Sequence, residues 1–92
     1  MNVQFDWDTD KAQSNYRKHG ILFEEGVTVF EDPLSITIAD PDHSDNEECL
    51  IDIGMSNRGR ILVVVYTERR AHIRVISCRP ATRAERRIYE QA

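Results

Sequence analysis

Arginine dominates the second half of this chain, and its side chain is well suited to binding phosphate. Residues 57–92 contain nine Arg, no Lys and three Glu, a net charge of +6. Residues 1–56 contain 3 Lys/Arg and 13 Asp/Glu, a net charge of −10, and the two halves sum to −4. A guanidinium group grips phosphate or carboxylate through two parallel hydrogen bonds. The asymmetry indicates an anionic ligand at the basic half and a cationic partner at the acidic half. The alternative is attraction between the halves that only adds stability.

Two arginines on the last predicted strand are the leading candidates for phosphate binding. Arg79, at the end of that strand, is the first choice and Arg74 is the second. The structural alternatives are a salt bridge to the acidic half for Arg79 and pairing with Asp52 across the sheet for Arg74. Histidine is the side chain that ordinarily exchanges protons near neutral pH, so His72 and His19 are candidates for proton exchange with a substrate. The alternatives are that His19 caps the first helix and that His72 is merely exposed beside a turn.

Five further side chains are candidates for secondary roles. Tyr66 could act as an acid, although its apolar strand favours a place in the core. Lys18 could contact phosphate or bind the last carbonyls of its helix. Arg69, Arg70 and Arg83 are candidates for contacts to a phosphate backbone, which carry no sequence information. No cluster of exposed aromatic residues is visible, which counts against a generic binder of single strands.

A predicted hairpin over residues 58–80 positions most of these side chains. Residues 61–67 are an apolar, β-branched strand, residues 72–78 are the second strand, and residues 68–71 form the turn. If the turns are even in length, one apolar face lies under the helices and carries Ile51, Ile53, Leu62, Val64, Tyr66, Ile73 and Val75. The other face then carries Asp52, Val63, Val65, Thr67, His72, Arg74 and Ile76. A turn of odd length would exchange part of this assignment.

Local signals predict the elements that precede the hairpin. Alternation of apolar and polar residues over residues 3–7 predicts a short strand. Asp8 and Gly20 are the expected caps of a helix over Thr9–His19. A second helix begins at Phe23 and is stopped by the Asp32-Pro33 pair.

The remaining segments complete the predicted order β-α-α-β-β-β-β-α. Residues 34–39 and Cys49–Met55 are strands, and the acidic residues 40–48 are read as a solvated loop because they lack calcium-loop spacing. Residues 81–91 form a helix in which Thr82 and Glu85 make a capping box. Its few apolar residues suggest that this helix is displaced or held by a partner. Cys49 and Cys78 fall at opposite ends of the sheet and should not form a disulfide.

Length and composition are those of one globular domain over residues 1–92. The order of elements predicts an α+β fold, in which an antiparallel meander carries two N-terminal helices on its apolar face and a C-terminal helix follows. The chain has 40% hydrophobic and 30% charged residues, which fits an ordinary globular protein. No apolar run approaches a membrane span, and the N-terminus has no signal-peptide pattern. We therefore expect a cytoplasmic protein, with no metal site and no cofactor.

The chain also carries an ordered set of residues that resembles a known family. In the N-terminal half these are Phe5-Asp6-Trp7-Asp8, Lys11, Asn15, Lys18-His19-Gly20, Phe23-Glu24-Glu25 and Phe30. In the C-terminal half they are Gly54, residues 62–69 (LVVVYTER), residues 74–79 (RVISCR), residues 81–86 (ATRAER) and Tyr89. Together they resemble the BrnT toxins of bacterial type II toxin–antitoxin systems.

The resemblance implies both a fold and a function. BrnT toxins are similar in fold to RelE-type ribonucleases, which pack helices on an antiparallel sheet. The expected activity is metal-independent cleavage of RNA that slows translation. The expected partners are an RNA substrate and a BrnA-like antitoxin. Operator DNA would be bound only through the antitoxin.

The chain departs from the family pattern at two places. Cys49 stands where the family often has arginine, which removes one cation from the expected site. Cys78 and Pro80 flank Arg79 where alanine and lysine are common, which loosens the expected grip on substrate. These departures leave open the alternative of a non-catalytic nucleic-acid-binding module or an inactive toxin remnant.

Overall fold

A computed structural model describes residues 3–40 and 49–91 of the chain. The elements follow in the order β1 (Gln4–Asp6), α1 (Thr9–His19), α2 (Phe23–Val27), a 3-10 helix (Thr28–Glu31), β2 (Ile36–Ala39), β3 (Cys49–Met55), β4 (Ile61–Arg69), β5 (His72–Pro80) and α3 (Arg83–Gln91). The α+β class and the predicted order are confirmed. The acidic segment 41–48 lies outside the described residues, so the prediction of a solvated loop there stays a prediction.

The strands form one mixed sheet in the order β1-β5-β4-β3-β2. Strands β2 to β5 are an antiparallel meander, as predicted. Strand β1 adds a parallel edge, with Asp6 opposite Arg74 and Gln4 opposite His72. The parallel pairing was not predicted, and it brings the N-terminus beside the last strand.

One face of the sheet, here called the helix face, packs against the N-terminal helices. It carries Leu62, Val64, Tyr66, Ile73, Val75 and Cys78, which form the buried core with Ile21, Phe23 and Val29. The opposite face, here called the second face, carries Val63, Val65, Thr67, Arg74 and Arg79. Both sets from β4 and β5 agree with the faces predicted for residues 62–75.

The faces predicted for β3 are wrong, because the turn that joins β3 to β4 has an odd length. Met55 pairs with Ile61, so residues 56–60 form the connection, an odd number. Ile51 and Ile53 therefore lie on the second face, opposite Val65 and Val63. Asp52 lies on the helix face instead, where only 3% of it is exposed.

A bulge in β5 decides which arginines share a face. Val65 pairs with Ser77 and Tyr66 pairs with Val75, so Ile76 is an extra residue between them. Side chains alternate along a strand, and an extra residue reverses the alternation beyond it. The bulge therefore places Arg79 on the second face together with Arg74.

Helix α1 has the caps that were predicted for it. The Oδ1 atom of Asp8 accepts hydrogen bonds from the backbone N–H groups of Asp10 at 2.8 Å and Lys11 at 3.4 Å. Gly20 has a φ of 71°, and its N–H donates to the carbonyl of Tyr16 at 2.8 Å. Both caps depend on adjacent residues, which explains why the sequence located this helix well.

Two contacts fix the helices against β5. The buried amide of Asn15 donates to the carbonyl of Cys78 at 2.8 Å and accepts from its N–H at 3.1 Å. Gly26 lies against the same residue, since a Cβ added there would stand 2.7 Å from the Cys78 Sγ atom. The strand that carries the candidate site is thus held from behind by α1 and α2.

Several element boundaries differ from the predictions. The hairpin strands extend to Arg69 and Pro80, so the turn is reduced to Arg70 and Ala71. The second helix passes into a 3-10 helix, and β2 begins at Ile36 instead of Leu34. Neither cysteine forms a disulfide, and burial raises the pKa of the Cys78 thiol to about 12. Within the described residues, no helix is long and apolar enough to cross a membrane.

Candidate functional site

A cavity of about 620 Å³ opens on the second face, at the end where β4 turns into β5. Its lining residues come from β1, β4, β5 and the turn, and they are Gln4, Asp6, Thr67, Arg69, Arg70, Ala71, His72 and Arg74. Four of the nine predicted site residues are in this group. The cavity therefore gathers an imidazole and three guanidinium groups at one place.

Asp6 lies at the centre of this group and contacts two of its members. Its Oδ2 atom is 2.8 Å from His72 Nε2, and its Oδ1 atom accepts a hydrogen bond from Arg74 Nη1 at 3.2 Å. The side chains of Asp6, His72 and Arg74 are 43%, 50% and 53% exposed, so all three remain accessible from solvent. The predicted alternative partner of Arg74 was Asp52, but the carboxylate that binds it is Asp6.

The turn at the cavity's edge has a backbone conformation that is uncommon for arginine. Arg70 has a φ of 57°, in the left-handed region, as a two-residue hairpin turn requires. Arg69 pairs across the strands with His72, on the same face as Arg74. The geometry places these cations where they can surround an anion that enters the cavity.

Arg79 lies further along the second face and is bound by α3. Its two terminal nitrogens donate to the two carboxylate oxygens of Glu85, each at 2.8 Å. These hydrogen bonds are the main reason why the pKa of Glu85 falls to about 2, and they raise the pKa of Arg79. Arg74 pairs with Thr67 and Arg79 pairs with Val63, four residues apart on β4, which separates them by about 13 Å along the sheet at roughly 3.3 Å per residue. The alternative predicted for Arg79 was a salt bridge to the acidic half. The structure contains a salt bridge, but its partner, Glu85, belongs to the basic half.

A second basic region lies on the outer surface of α3. Arg83, Arg86 and Arg87 line a shallow hollow of about 280 Å³ with Ala81 and Glu90. The predicted capping box is present, since Thr82 N–H donates to Glu85 and Glu85 N–H donates to Thr82 Oγ1. No residue of α3 is buried. The helix thus presents its arginines to solvent.

Besides Arg79 and Arg83, three more of the predicted site residues lie away from the cavity. Lys18 and His19 are in the last turn of α1, which packs behind the sheet on the helix face. Tyr66 is only 3% exposed, and its hydroxyl donates to Asp52 at 2.7 Å. Burial is the main cause that raises the pKa of Tyr66 above its ordinary value. This environment is that of a core residue.

Sequence reasoning did not select Asp6, Gln4 or Thr67 for the site. Asp6 alternates with the apolar Phe5 and Trp7, which showed that it faces away from the core. The missing information was the parallel pairing of β1 with β5, because contacts between residues 66 or more positions apart leave no local signal. Among the described residues there is no group of three His, Cys, Asp or Glu side chains that could hold a metal ion.

Comparison with known proteins identifies the family. Residues 7–85 match a family described as "Ribonuclease toxin, BrnT, of type II toxin-antitoxin system". The chain belongs to the BrnT family. It is therefore a member of a family of ribonuclease toxins, which implies an RNA target and an antitoxin partner. No curated protein matches the chain significantly.

A solved BrnT structure has the same fold. The 1.1 Å crystal structure of the Brucella abortus ribonuclease toxin BrnT aligns with a TM-score of 0.65 and 26% sequence identity. The alignment covers 89% of this chain and 100% of the Brucella chain. The predicted resemblance to BrnT is thus confirmed for sequence and fold together.

The position of Cys49 gives the departure from the BrnT pattern a structural meaning. Cys49 faces Thr67 across β3 and β4, and Thr67 faces Arg74 across β4 and β5. All three lie on the second face, and Thr67 and Arg74 line the cavity. An arginine at position 49 would add a cation beside the candidate site. This protein has the uncharged Cys49 there instead.

Proposed function

We propose that this protein is an endoribonuclease toxin that cleaves RNA without a metal ion in the cytoplasm and so inhibits translation. The observation that carries the proposal is the cavity on the second face, which combines His72 with Arg69, Arg70 and Arg74. RNA cleavage of this kind needs a proton acceptor, a proton donor and cations around the phosphate. The cavity supplies the first and the last of these groups within one accessible space.

The roles follow from the chemistry of each side chain. Arg74 is the cation that binds the scissile phosphate, and Arg69 and Arg70 bind adjacent phosphates from the turn. His72 is the group that exchanges a proton with the ribose 2′-hydroxyl. Arg79 and Arg83 would extend the same basic path toward α3, although Arg79 is bound to Glu85 in this structure.

We further propose that a BrnA-like antitoxin neutralises the toxin and binds operator DNA on behalf of the complex. Supporting this, α3 presents three arginines to solvent and has no buried residue. A protein with acidic side chains could bind this helix and the basic face beside it through charge-assisted hydrogen bonds.

The test is a cleavage assay on purified protein, with RNA both free and on ribosomes, in excess chelator. We expect the wild-type protein to cut RNA and leave a 2′,3′-cyclic phosphate and a 5′-hydroxyl. Arg74→Ala should lower kcat by about 100-fold, since it removes a donor that stabilises the developing charge. The control is Arg17→Ala, which removes an exposed arginine from α1, behind the sheet.

Two results would contradict this function. Intact RNA in both forms would exclude the proposed enzyme activity. Salt-dependent RNA binding without cleavage products would instead support a non-catalytic nucleic-acid-binding protein. Expression in cells without antitoxin gives an independent test, because the active toxin should arrest growth and the Arg74→Ala variant should not.

A further inference from the structure

Asp6 lies on the edge strand β1, and nothing in the sequence distinguished it as part of a site. We propose that Asp6 is a positioning residue that holds His72 as its Nε2–H tautomer, which leaves Nδ1 as the proton-accepting atom. The inference rests on the proposed function, because it assigns the reacting nitrogen of the imidazole in that same cavity. It adds a residue and an atom that the proposed function does not specify.

The hydrogen bonds around Asp6 determine the tautomer. An ionised carboxylate only accepts hydrogen bonds, so a neutral His72 must donate from Nε2 across the 2.8 Å contact. A neutral imidazole has a single N–H, and its other nitrogen therefore carries the lone pair. Arg74 Nη1 donates to the other oxygen of Asp6 at 3.2 Å, which fixes the direction in which the carboxylate faces.

Strand pairing explains why these three side chains meet. Asp6 is the residue of β1 directly opposite Arg74, and His72 is two residues before Arg74 on the same face of β5. The charged groups that line the cavity around His72 are Asp6 from β1, Arg74 from β5, Arg69 from β4 and Arg70 from the turn. Asp6 is the one carboxylate among the described residues that line this cavity.

The proposed step balances in atoms and electrons. The oxygen of the 2′-hydroxyl forms a bond to phosphorus, and its proton passes to Nδ1 of His72. The bond from phosphorus to the 5′ oxygen breaks, and the departing oxygen keeps the electron pair and takes a proton from water. The imidazolium then returns its proton to the resulting hydroxide. Asp6 touches no reacting atom in this step and acts through His72.

The substitution Asp6→Asn makes a sharp test, because it keeps the shape and reverses one hydrogen bond. Arg74 still needs an acceptor, so the amide oxygen faces Arg74 and the amide NH₂ faces His72. Nε2 must then accept, and the proton moves to Nδ1. We expect ¹⁵N NMR to show Nε2–H in the wild-type protein and Nδ1–H in the variant. The kcat for RNA cleavage should fall by about 10-fold or more, with a smaller change in KM.

Asp10→Asn is the matched control, since it removes the same charge from an exposed position in the first turn of α1. It should leave the tautomer and kcat unchanged. An Nδ1–H tautomer in the wild-type protein, or an unchanged tautomer in folded Asp6→Asn, would overturn the inference. A tautomer that inverts while kcat stays at the wild-type value would also overturn it. If the wild-type protein cuts no RNA but the tautomer inverts, the proposed function fails and the contact assigned to Asp6 stands.

Discussion

At the scale of single residues, a buried carboxylate explains the position of Tyr66. The hydroxyls of Tyr66 and Thr37 both donate to Asp52 Oδ1 at 2.7 Å, and Asp52 is almost completely buried. A buried charged group that loses a donor has no water to replace it, which costs about 1–3 kcal/mol. The interaction joins β2, β3 and β4 inside the core, away from the cavity.

We therefore expect Tyr66→Phe to lower the free energy of unfolding by about 1–3 kcal/mol in urea denaturation. RNA cleavage per folded molecule should stay at the wild-type level. Tyr16→Phe is the control, because Tyr16 is 51% exposed and the same hydroxyl is lost from the surface. Loss of cleavage at unchanged stability would show instead that Tyr66 takes part in the chemistry.

The sequence identified the candidate site in part, and the reason lies in how each residue is recognised. Arg74 was selected because a charge in the middle of a strand is unusual, and His72 was selected because histidine exchanges protons near neutral pH. Asp6 was not selected, because an acidic residue on an edge strand is common and does not indicate a site unless the residue beside it is known. That neighbour is 68 positions away, which only the parallel pairing of β1 and β5 reveals.

At the scale of elements, the boundaries that depend on local signals were predicted well and those that depend on register were not. The caps Asp8 and Gly20 specify α1 from within a few residues. The faces of β3 depend on whether the turn over residues 56–60 is odd or even, which hydrophobicity does not reveal. Hydrophobicity does not reveal the bulge at Ile76 either, and this bulge decides which face of the sheet carries Arg79.

Helix α3 gives the prediction that belongs to this scale. Among the described residues, its attachments include the bidentate pair of Glu85 with Arg79 and a hydrogen bond from Tyr89 to Asp32. Glu85→Gln removes the charge from the stronger attachment, which should cost about 1 kcal/mol after allowance for partial exposure. Amides of α3 should then exchange with solvent about fivefold faster at neutral pH. Glu90→Gln, an exposed change in the same helix, should leave exchange unchanged.

The pH dependence of the same contact has a definite sign. The ordinary pKa of Glu85 is 4.5 and its folded value is about 2. A lowered pKa means that the contribution to stability is complete above pH 4.5 and is lost as the pH falls toward 2. The wild-type helix should therefore loosen over that window in hydrogen exchange, and Glu85→Gln should show a smaller change, since of these two attachments only the contact of Tyr89 with Asp32 remains sensitive to acid there. Equal acid sensitivity in both proteins would contradict the assignment.

At the scale of the whole molecule, the two halves of opposite charge contact each other at specific places. Arg60 binds Glu25, and Asp6 binds both Arg74 and His72. The predicted alternative, attraction between the halves, thus accounts for some of the arginines. It does not account for Arg83, Arg86 and Arg87, since α3 turns these toward solvent around a common hollow.

We expect the antitoxin to use these unmatched charges. Desolvated arginine–carboxylate pairs at an interface are strong, whereas pairs at its rim add little. Arg83→Glu combined with Arg86→Glu should therefore weaken the complex by well over tenfold in calorimetry. The matched control is Lys11→Glu with Arg17→Glu, which makes the same change in net charge on α1. The competing hypothesis is that the antitoxin binds the acidic segment 40–48. Should that segment's variants abolish binding while the α3 variant binds normally, the antitoxin covers the acidic half and inhibits from a distance.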